Sequence, residues 1–383
     1  MKIVDVCPFY TPAGGGVRTY VDQKLEIGPR LGHEIVVLAP GEAHRVEQRG
    51  PHARIVYIPG PRLPLDRRYR YFLDDGSVQD ALDREAPDFV EASSPWRSSE
   101  IVAAWEGPAP RALVMHADPL ATYAYRWFGM VARREWIDRS FGWYWRHLQR
   151  LDARFDLMIA ANASLTSRLR DGGLTRVSTN PMGVSPDTFS PALRDEALRA
   201  DLLRRCGLPP EASLAIGVGR HAPEKRWPLV IDACVAAGRE RGLGLVLVGD
   251  GRERRRIAEH IGGNPHIQLL APLRDRAQFA RLLASADALV HGCESETFCM
   301  VGAEAAASGL PVIAPNEGGA ATFASAYGAR YRARDAVAAT RAIDRVLAHR
   351  PPLSVPAAPV RTMHDHFDQL FGQYERLARA RAA

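Results

Sequence analysis

Residues Ala288–Pro315 read ALVHGCESETFCMVGAEAAASGLPVIAP: an apolar run, a short polar loop, an alanine-rich stretch, a glycine-containing turn and a second apolar run. Short apolar runs bounded by turn residues predict buried strands, and the alanine-rich stretch between them predicts a helix. A helix linking two such strands lays them parallel. The same alternation runs outward in both directions, through KIVDVCPF, EIVVLAP, ARIVYIP, DFVEAS, RALVMH and DLMIAA in the first half and LAIGVG, LGLVLVG and IQLLAP in the second. Parallel sheets covered by helices on both faces follow, an α/β architecture. At 383 residues the chain exceeds the usual size of one core, so two doubly wound domains are expected. The weakest patterning, NPMGVSPDTFSPALRDEALRADLLRRCGLPPEAS, places the junction, with domains over 1–184 and 185–360. Pro351–Pro359 is a second break, and the helix expected over 361–383 carries Phe367, Leu370, Phe371 and Tyr374 on one face, suited to packing back on the first domain.

Composition narrows the class. With 46% hydrophobic and 25% charged residues the chain is of globular type, and it contains no apolar run long enough to span a bilayer. The start MKIVDVCPFY enters a strand at once, without the features of a signal peptide, so a cytoplasmic protein is expected. The five cysteines are scattered, with no C-x-x-C pair for zinc or redox work, and are expected to be buried thiols. A net charge of +6 favours anionic partners. Nucleic acid is not expected among them, for want of a recognition module.

The chemistry concentrates where strands end. A helix beginning near Thr297 would leave the amides of about Phe298, Cys299 and Met300 at its positive end, suited to a diphosphate. Glu296 stands before that end and Glu304 inside the helix, roughly 10 Å apart at helical rise. Such a pair can grip hydroxyls on either side of a diphosphate. GVGRHAPEKRWPLVIDA supplies Arg220 and Lys225, fixed cations of the kind a departing diphosphate needs. In LVLVGDGRERRRI, Gly249 and Gly251 permit close backbone approach, either as the floor of a nucleotide site or as a plain turn. FYTPAGGGVRTYVDQ sets Gly14, Gly15 and Gly16 between a strand and a helix, and RALVMHADP ends a strand at His116 and Asp118.

Together these segments resemble retaining glycosyltransferases of family 4, which have the GT-B fold of two Rossmann-like domains facing across a cleft. The E-x(7)-E signature matches Glu296 and Glu304, and the resemblance gives the first to the transferred sugar and the second to the ribose. The family's G-R-x(4)-K-G matches Arg220 and Lys225, which it places on the diphosphate. His116 matches a histidine near the sugar, and the Gly14–Gly16 loop one that faces sugar and acceptor. Asp118 is left as a loop cap. Four positions depart from the family pattern: Cys299 and Arg226 stand where glycine is usual, Ser185 replaces an aspartate, and Ala320–Thr322 follow the Gly318–Gly319 pair where a glutamate is usual.

The resemblance implies transfer of a hexosyl group from a UDP- or GDP-linked sugar to a hydroxyl acceptor, with retention and with no cofactor. No D-x-D motif appears, so the cations are expected to do a metal's work. The segment Tyr123–Arg150 interleaves Trp127, Trp136, Trp143 and Trp145 with arginines. It suits either an anionic membrane surface, with a lipid or lipid-linked glycan as acceptor, or helices whose aromatics are core. An epimerase, a phosphorylase-like enzyme or a non-catalytic sugar-nucleotide-binding protein are the rival expectations.

Overall fold

In the computed structural model, which describes residues 1–11, 15–64, 69–118, 120, 134–185, 187–324, 327–349 and 360–382, the chain divides into two units, Met1–Pro181 with Met363–Ala383 and Met182–Thr362. The first runs β1 (Lys2–Val6), α1 (Gly16–Arg30), β2 (Glu34–Gly41), β3 (Arg45–Gly50), β4 (Ala53–Pro59), α2 (Asp75–Glu85), β5 (Phe89–Ala92), α3 (Arg97–Ala104), β6 (Arg111–Met115), α4 (Arg134–Ser140), α5 (Gly142–Asp152), β7 (Leu157–Ala160), α6 (Ala163–Asp171) and β8 (Val177–Thr179). Its sheet order is β3-β4-β2-β1-β5-β6-β7-β8. All neighbours are parallel except β3 and β4.

Residues Ile35–Ala39 of β2 have no exposed surface, because helices cover both faces. β3, by contrast, reads RVEQRG and is mostly exposed. Apolar patterning does not announce such a strand, whose charges keep a sheet edge from pairing further. The helix Met363–Ala382 completes this unit. Met363, Phe367, Leu370, Phe371 and Tyr374 are all buried. The Tyr374 ring stacks on Phe89 with centroids 3.9 Å apart, and Phe371 meets His33 edge-on at 4.9 Å.

The second unit runs α7 (Glu196–Arg205), β9 (Ser213–Val218), α8 (Trp227–Arg241), β10 (Leu243–Val248), α9 (Arg254–Ile261), β11 (Ile267–Leu270), α10 (Arg276–Ser285), β12 (Ala288–Val290), α11 (Met300–Ala307), β13 (Val312–Pro315), β14 (Ala329–Tyr331) and α12 (Ala336–Ala348). Successive strand residues point to opposite faces. Leu245 and Leu247 therefore join Trp227, Ile231, Ile343 and Leu347 on one side, while Val246 and Val248 join Leu203, Phe279 and Leu283 on the other. The order β11-β10-β9-β12-β13-β14 is the doubly wound Rossmann order. Its direction reverses between β9 and β12, and in the first unit between β1 and β5; ligands of such sheets bind beyond the carboxyl ends of the strands at that reversal.

Among the described residues no helix is long and apolar enough to cross a membrane. Pro351–Pro359, Gly14 and Trp127 lie outside the described residues. Replacement of the buried Phe371 by alanine is expected to lower the unfolding free energy by about 3–5 kcal/mol, measured by urea denaturation. A loss near zero would mean that the helix does not pack as described.

Candidate active site

The loop after β12 carries the densest chemistry. His291 follows the strand directly and is buried; its Nε2 lies 3.3 Å from an oxygen of Glu296. The same oxygen takes a short hydrogen bond from Lys225 Nζ, which arrives on the short helical turn after β9. Lys225 and Glu296 thus meet at the β9/β12 reversal. Burial opposes both charges, yet the pair prevails: Glu296 is held well below the usual carboxylate range by Lys225 and then His291, and Lys225 is raised by Glu296. His291 is pushed down, chiefly by burial. Glu296, His291 and Cys299 offer ligand atoms within 4.8 Å of one another. Lys225 already occupies Glu296, however, and burial raises the Cys299 thiol well above its ordinary value, so the group suits an ammonium better than a metal ion.

The helix expected near Thr297 begins at Met300 instead. Cys299 stands before it as the cap with φ 75°, a left-handed conformation outside the helix, while its carbonyl accepts from Gly302 N at 2.9 Å and Ala303 N at 3.2 Å. The first helical amides are therefore those of Met300 and its successors, and the spacing of Glu296 from Glu304 is not a helical rise. Arg226 is left-handed too, at φ 50°. Both residues occupy positions where the family pattern has glycine, and both keep the glycine conformation at a cost of about 1–2 kcal/mol each.

What offsets that cost at Arg226 is Glu294. Arg226 Nε donates to Glu294 Oε2 at 2.6 Å and its Nη2 to Oε1; Arg334 Nε, on a third left-handed residue, donates to Oε1 at 3.0 Å. The Glu294 carboxyl sits below its ordinary value because these arginines outweigh burial. Behind the loop, Gly318 and Gly319 lie so close that a Cβ would fall 2.5 Å from Glu294 O and 2.6 Å from Thr297 O respectively. Gly319 N donates to Glu296 O at 2.6 Å. The glycine pair is thus required as the brace of the loop, whatever follows it in sequence. His291, Glu294 and the bracing role escape sequence reasoning; the one available signal is the strand-terminal position of His291.

Glu304 is buried and accepts from Arg276 Nη2 at 2.8 Å. Burial raises its carboxyl, which Arg276 only partly opposes. Phe298 packs edge-on against Phe323 at 5.2 Å, aimed inward rather than at a ligand. Arg220, directly beyond β9, is mostly exposed and pairs with Glu224 at 2.9 Å. At Gly249 a Cβ would fall 1.9 Å from Gly219 O. The packing of two adjacent strand ends is therefore enough to require this glycine, as a plain turn would.

In the first unit, Gly15 caps α1 and Gly16 opens it, and a Cβ on either would meet nothing within 4 Å. Packing does not require these glycines, which leaves open space at the helix start. His116, just past β6, places Nε2 3.3 Å from Ser93 Oγ and its ring edge-on to Tyr20 at 4.7 Å. Burial, then Lys24, pushes its imidazole down to about 3. Asp118 is buried and ion-paired with Arg168 of α6, a tie between elements. In the described part of the aromatic segment buried and exposed rings stand side by side. Tyr144 is buried and Trp145 packs on the core, whereas Trp136 and Trp143 are 65% and 52% exposed.

Comparison with known proteins follows the two units. Residues 14–188 match the family model described as Glycosyltransferase Family 4, and residues 201–355 match Glycosyl transferases group 1. A GDP-mannose-dependent alpha-mannosyltransferase of Mycobacterium tuberculosis is 32% identical over 326 residues, 83% of this chain and 80% of the relative. A GDP-mannose-dependent alpha-(1-6)-phosphatidylinositol dimannoside mannosyltransferase of the same species is 28% identical, covering 82% of this chain and 79% of the relative. Among solved structures, sucrose-phosphate synthase from Thermosynechococcus elongatus superposes with a TM-score of 0.73 at 19% identity, over 99% of this chain and 96% of that one. Anabaena HepE in complex with UDP does so at 0.68 and 16%, over 100% and 98%. A relative above 30% identity across most of both chains and matching models for both units agree with the doubly wound sheets: the chain belongs to the family 4 glycosyltransferases, nucleotide-sugar-dependent enzymes with the GT-B fold.

Proposed function

We propose that the protein transfers a hexosyl group from a nucleoside diphosphate, with GDP-mannose as the leading donor, to a hydroxyl of a membrane lipid or lipid-linked glycan, with retention and without a metal. The observation that carries this is the half-buried Lys225–Glu296 pair at the β9/β12 reversal. In the proposed reaction the C1–oxygen bond to the diphosphate breaks and a bond from C1 to the acceptor oxygen forms, the acceptor's proton passing to the departing diphosphate. Lys225, Arg220 and the amides at the start of α11 meet the charge that develops on that diphosphate. Glu296 holds the sugar and Glu304, turning from Arg276, the ribose. Gly15 and Gly16 give the sugar and acceptor room, Gly249 lies beneath the nucleotide, and His116 supplies a hydrogen bond to the sugar. The mannosyl donor and lipid acceptor are supported by what the mycobacterial relatives are named for.

The membrane side of the proposal is supported by Trp136 and Trp143, exposed beside the exposed Arg139 and Arg146. Rings at head-group level and arginines near anionic lipid form an interfacial patch.

With GDP-mannose, UDP-sugars and a membrane lipid extract, the wild type is expected to form a radiolabelled glycolipid from one donor, at a rate unaffected by EDTA. Glu296→Gln and Lys225→Met are each expected to lose about 100-fold or more in kcat; turnover equal to wild type would sink the site assignment. Because Glu296 is depressed on folding, its contribution to stability is complete above the unfolded value of about 4.3 and fades as pH falls toward the folded one. Denaturation of wild type and Glu296→Gln should therefore differ at neutral pH and converge in acid. In vesicle flotation, binding to anionic but not zwitterionic vesicles is expected, and Trp136→Ser with Trp143→Ser should abolish it. Retained binding would place the membrane contact elsewhere.

A further inference from the structure

At the carboxyl ends of β2 and β4 the first unit holds a cavity of about 510 Å³ that the transfer reaction does not use. Open parallel sheets bind ligands at this end of their strands. Three arginines line it, Arg45, Arg62 and Arg70, against one acidic residue, Glu42. Gly41 of β2 and Tyr57 of β4 are part of its wall, and all of its lining belongs to the first unit.

The arginines are held by backbone and ring contacts. Arg62 and Arg70 are antiparallel bridge partners, flanked by Leu63 N donating to Tyr69 O at 2.8 Å and Tyr71 N to Pro61 O at 3.2 Å. These paired segments are fastened to β2 through Gly60, whose N donates to Gly41 O at 3.0 Å. A Cβ on Gly60 would fall 2.2 Å from Tyr71 O, so the segments lie in close contact. Arg70 Nη1 donates to Gly60 O at 2.7 Å, and the Arg45 guanidinium lies over the Tyr57 ring, 4.4 Å from its centroid. A guanidinium carries five N–H donors, and Arg45 commits one of its nitrogens, to Glu47 at 3.0 Å.

The lining does not balance its own charge. Arg70 Nη2 lies 3.5 Å from Glu42 Oε2, on a side chain 85% exposed, an ion pair worth little. Glu47 and Asp22, outside the lining, are shared with Arg49 and Arg18, so they leave the excess unchanged. The Arg62 side chain has no hydrogen bond or ion pair among the described residues. Two positive charges are thus in excess, a match for a phosphate dianion, whose charge is about −1.5 to −2 at neutral pH. Guanidinium forks take phosphate oxygens in pairs. The volume falls in the range of roughly 300–1,000 Å³ that encloses a small organic ligand, so an alcohol part can accompany the phosphate.

We infer that this cavity is a phosphate site, in which Arg45, Arg62 and Arg70 grip the dianion of a phosphomonoester. The binding does not depend on the transfer reaction proposed above, and no residue of the second unit takes part in it.

The test is isothermal titration of the full chain, at fixed ionic strength, with glycerol 3-phosphate, inorganic phosphate and a glycerophosphodiester. Saturable binding of one glycerol 3-phosphate per chain is expected, with the singly charged diester weaker. Arg62→Gln and Arg45→Gln should each lower the affinity about 10-fold, the worth of one charge-assisted hydrogen bond. Arg255→Gln, at an exposed arginine of the second unit, should leave it unchanged. Saturating GDP should not displace the ester; displacement would put the phosphate in the donor site and overturn the inference. Absence of saturable binding, or equal affinity in wild type and Arg62→Gln, overturns it as well. Arg62 is exposed and its side chain anchors nothing, so this variant probes the cavity without disturbing the fold. Inorganic phosphate bound as tightly as the ester identifies free phosphate as the ligand, and a tighter ester identifies an organic phosphate. A chain that binds phosphate in this way but transfers no sugar overturns the reaction and leaves the site standing.

Discussion

A charge removed from water must meet its opposite close by, and the interior of this protein is organised by that requirement. Each place where strand order reverses holds an ionic group withdrawn from water: Lys225 with Glu296, half-buried, in one unit, and Lys24 with Asp5 and Glu91, fully buried, in the other. Around the first, Glu294 gathers Arg226 and Arg334, and Glu304 takes Arg276. Each of these three carboxylates thereby has a cation of its own.

The left-handed residues show how the same backbone is kept with different side chains. Glycine reaches positive φ without steric penalty. Arg226 and Arg334 accept the penalty and at those positions add hydrogen bonds that glycine lacks, both to Glu294. Cys299 buries its sulfur against His291, 3.8 Å away. Two of the departures from the family pattern, Arg226 and Cys299, therefore keep a left-handed backbone with a side chain present, and the loop bearing Glu296 gains polar contacts that glycines at these positions could not make.

Strands with continuous apolar runs, such as EIVVLAP and LGLVLVG, were legible because both faces of a parallel strand are buried and each residue must be apolar. β3, β8 and β14 were not, since each stands at a sheet edge, where little burial is encoded. The apolar face of the last helix was readable from its period. In the site, Lys225 and Glu296 stood out by spacing and do meet, but the start of α11 did not, because a cysteine gives no warning of a left-handed backbone. His291, Glu294 and the Gly318–Gly319 brace depend on contacts between segments distant in sequence, and a buried hydrogen-bonded network joins residues 5, 24, 91, 93 and 374. No local pattern could contain it.

That the first unit includes Met363–Ala382 has a consequence for the order of assembly. Domains commonly fold as they leave the ribosome, the N-terminal one first. Here Phe367, Leu370 and Tyr374, which fill the core beside β5 and α1, are synthesised after the whole of Met182–Thr362. The first sheet waits with an apolar flank uncovered while the second unit emerges, and it closes only once residues 363–382 have followed. Nascent chains thus carry an uncovered apolar flank on the first unit until residues 363–382 have been made.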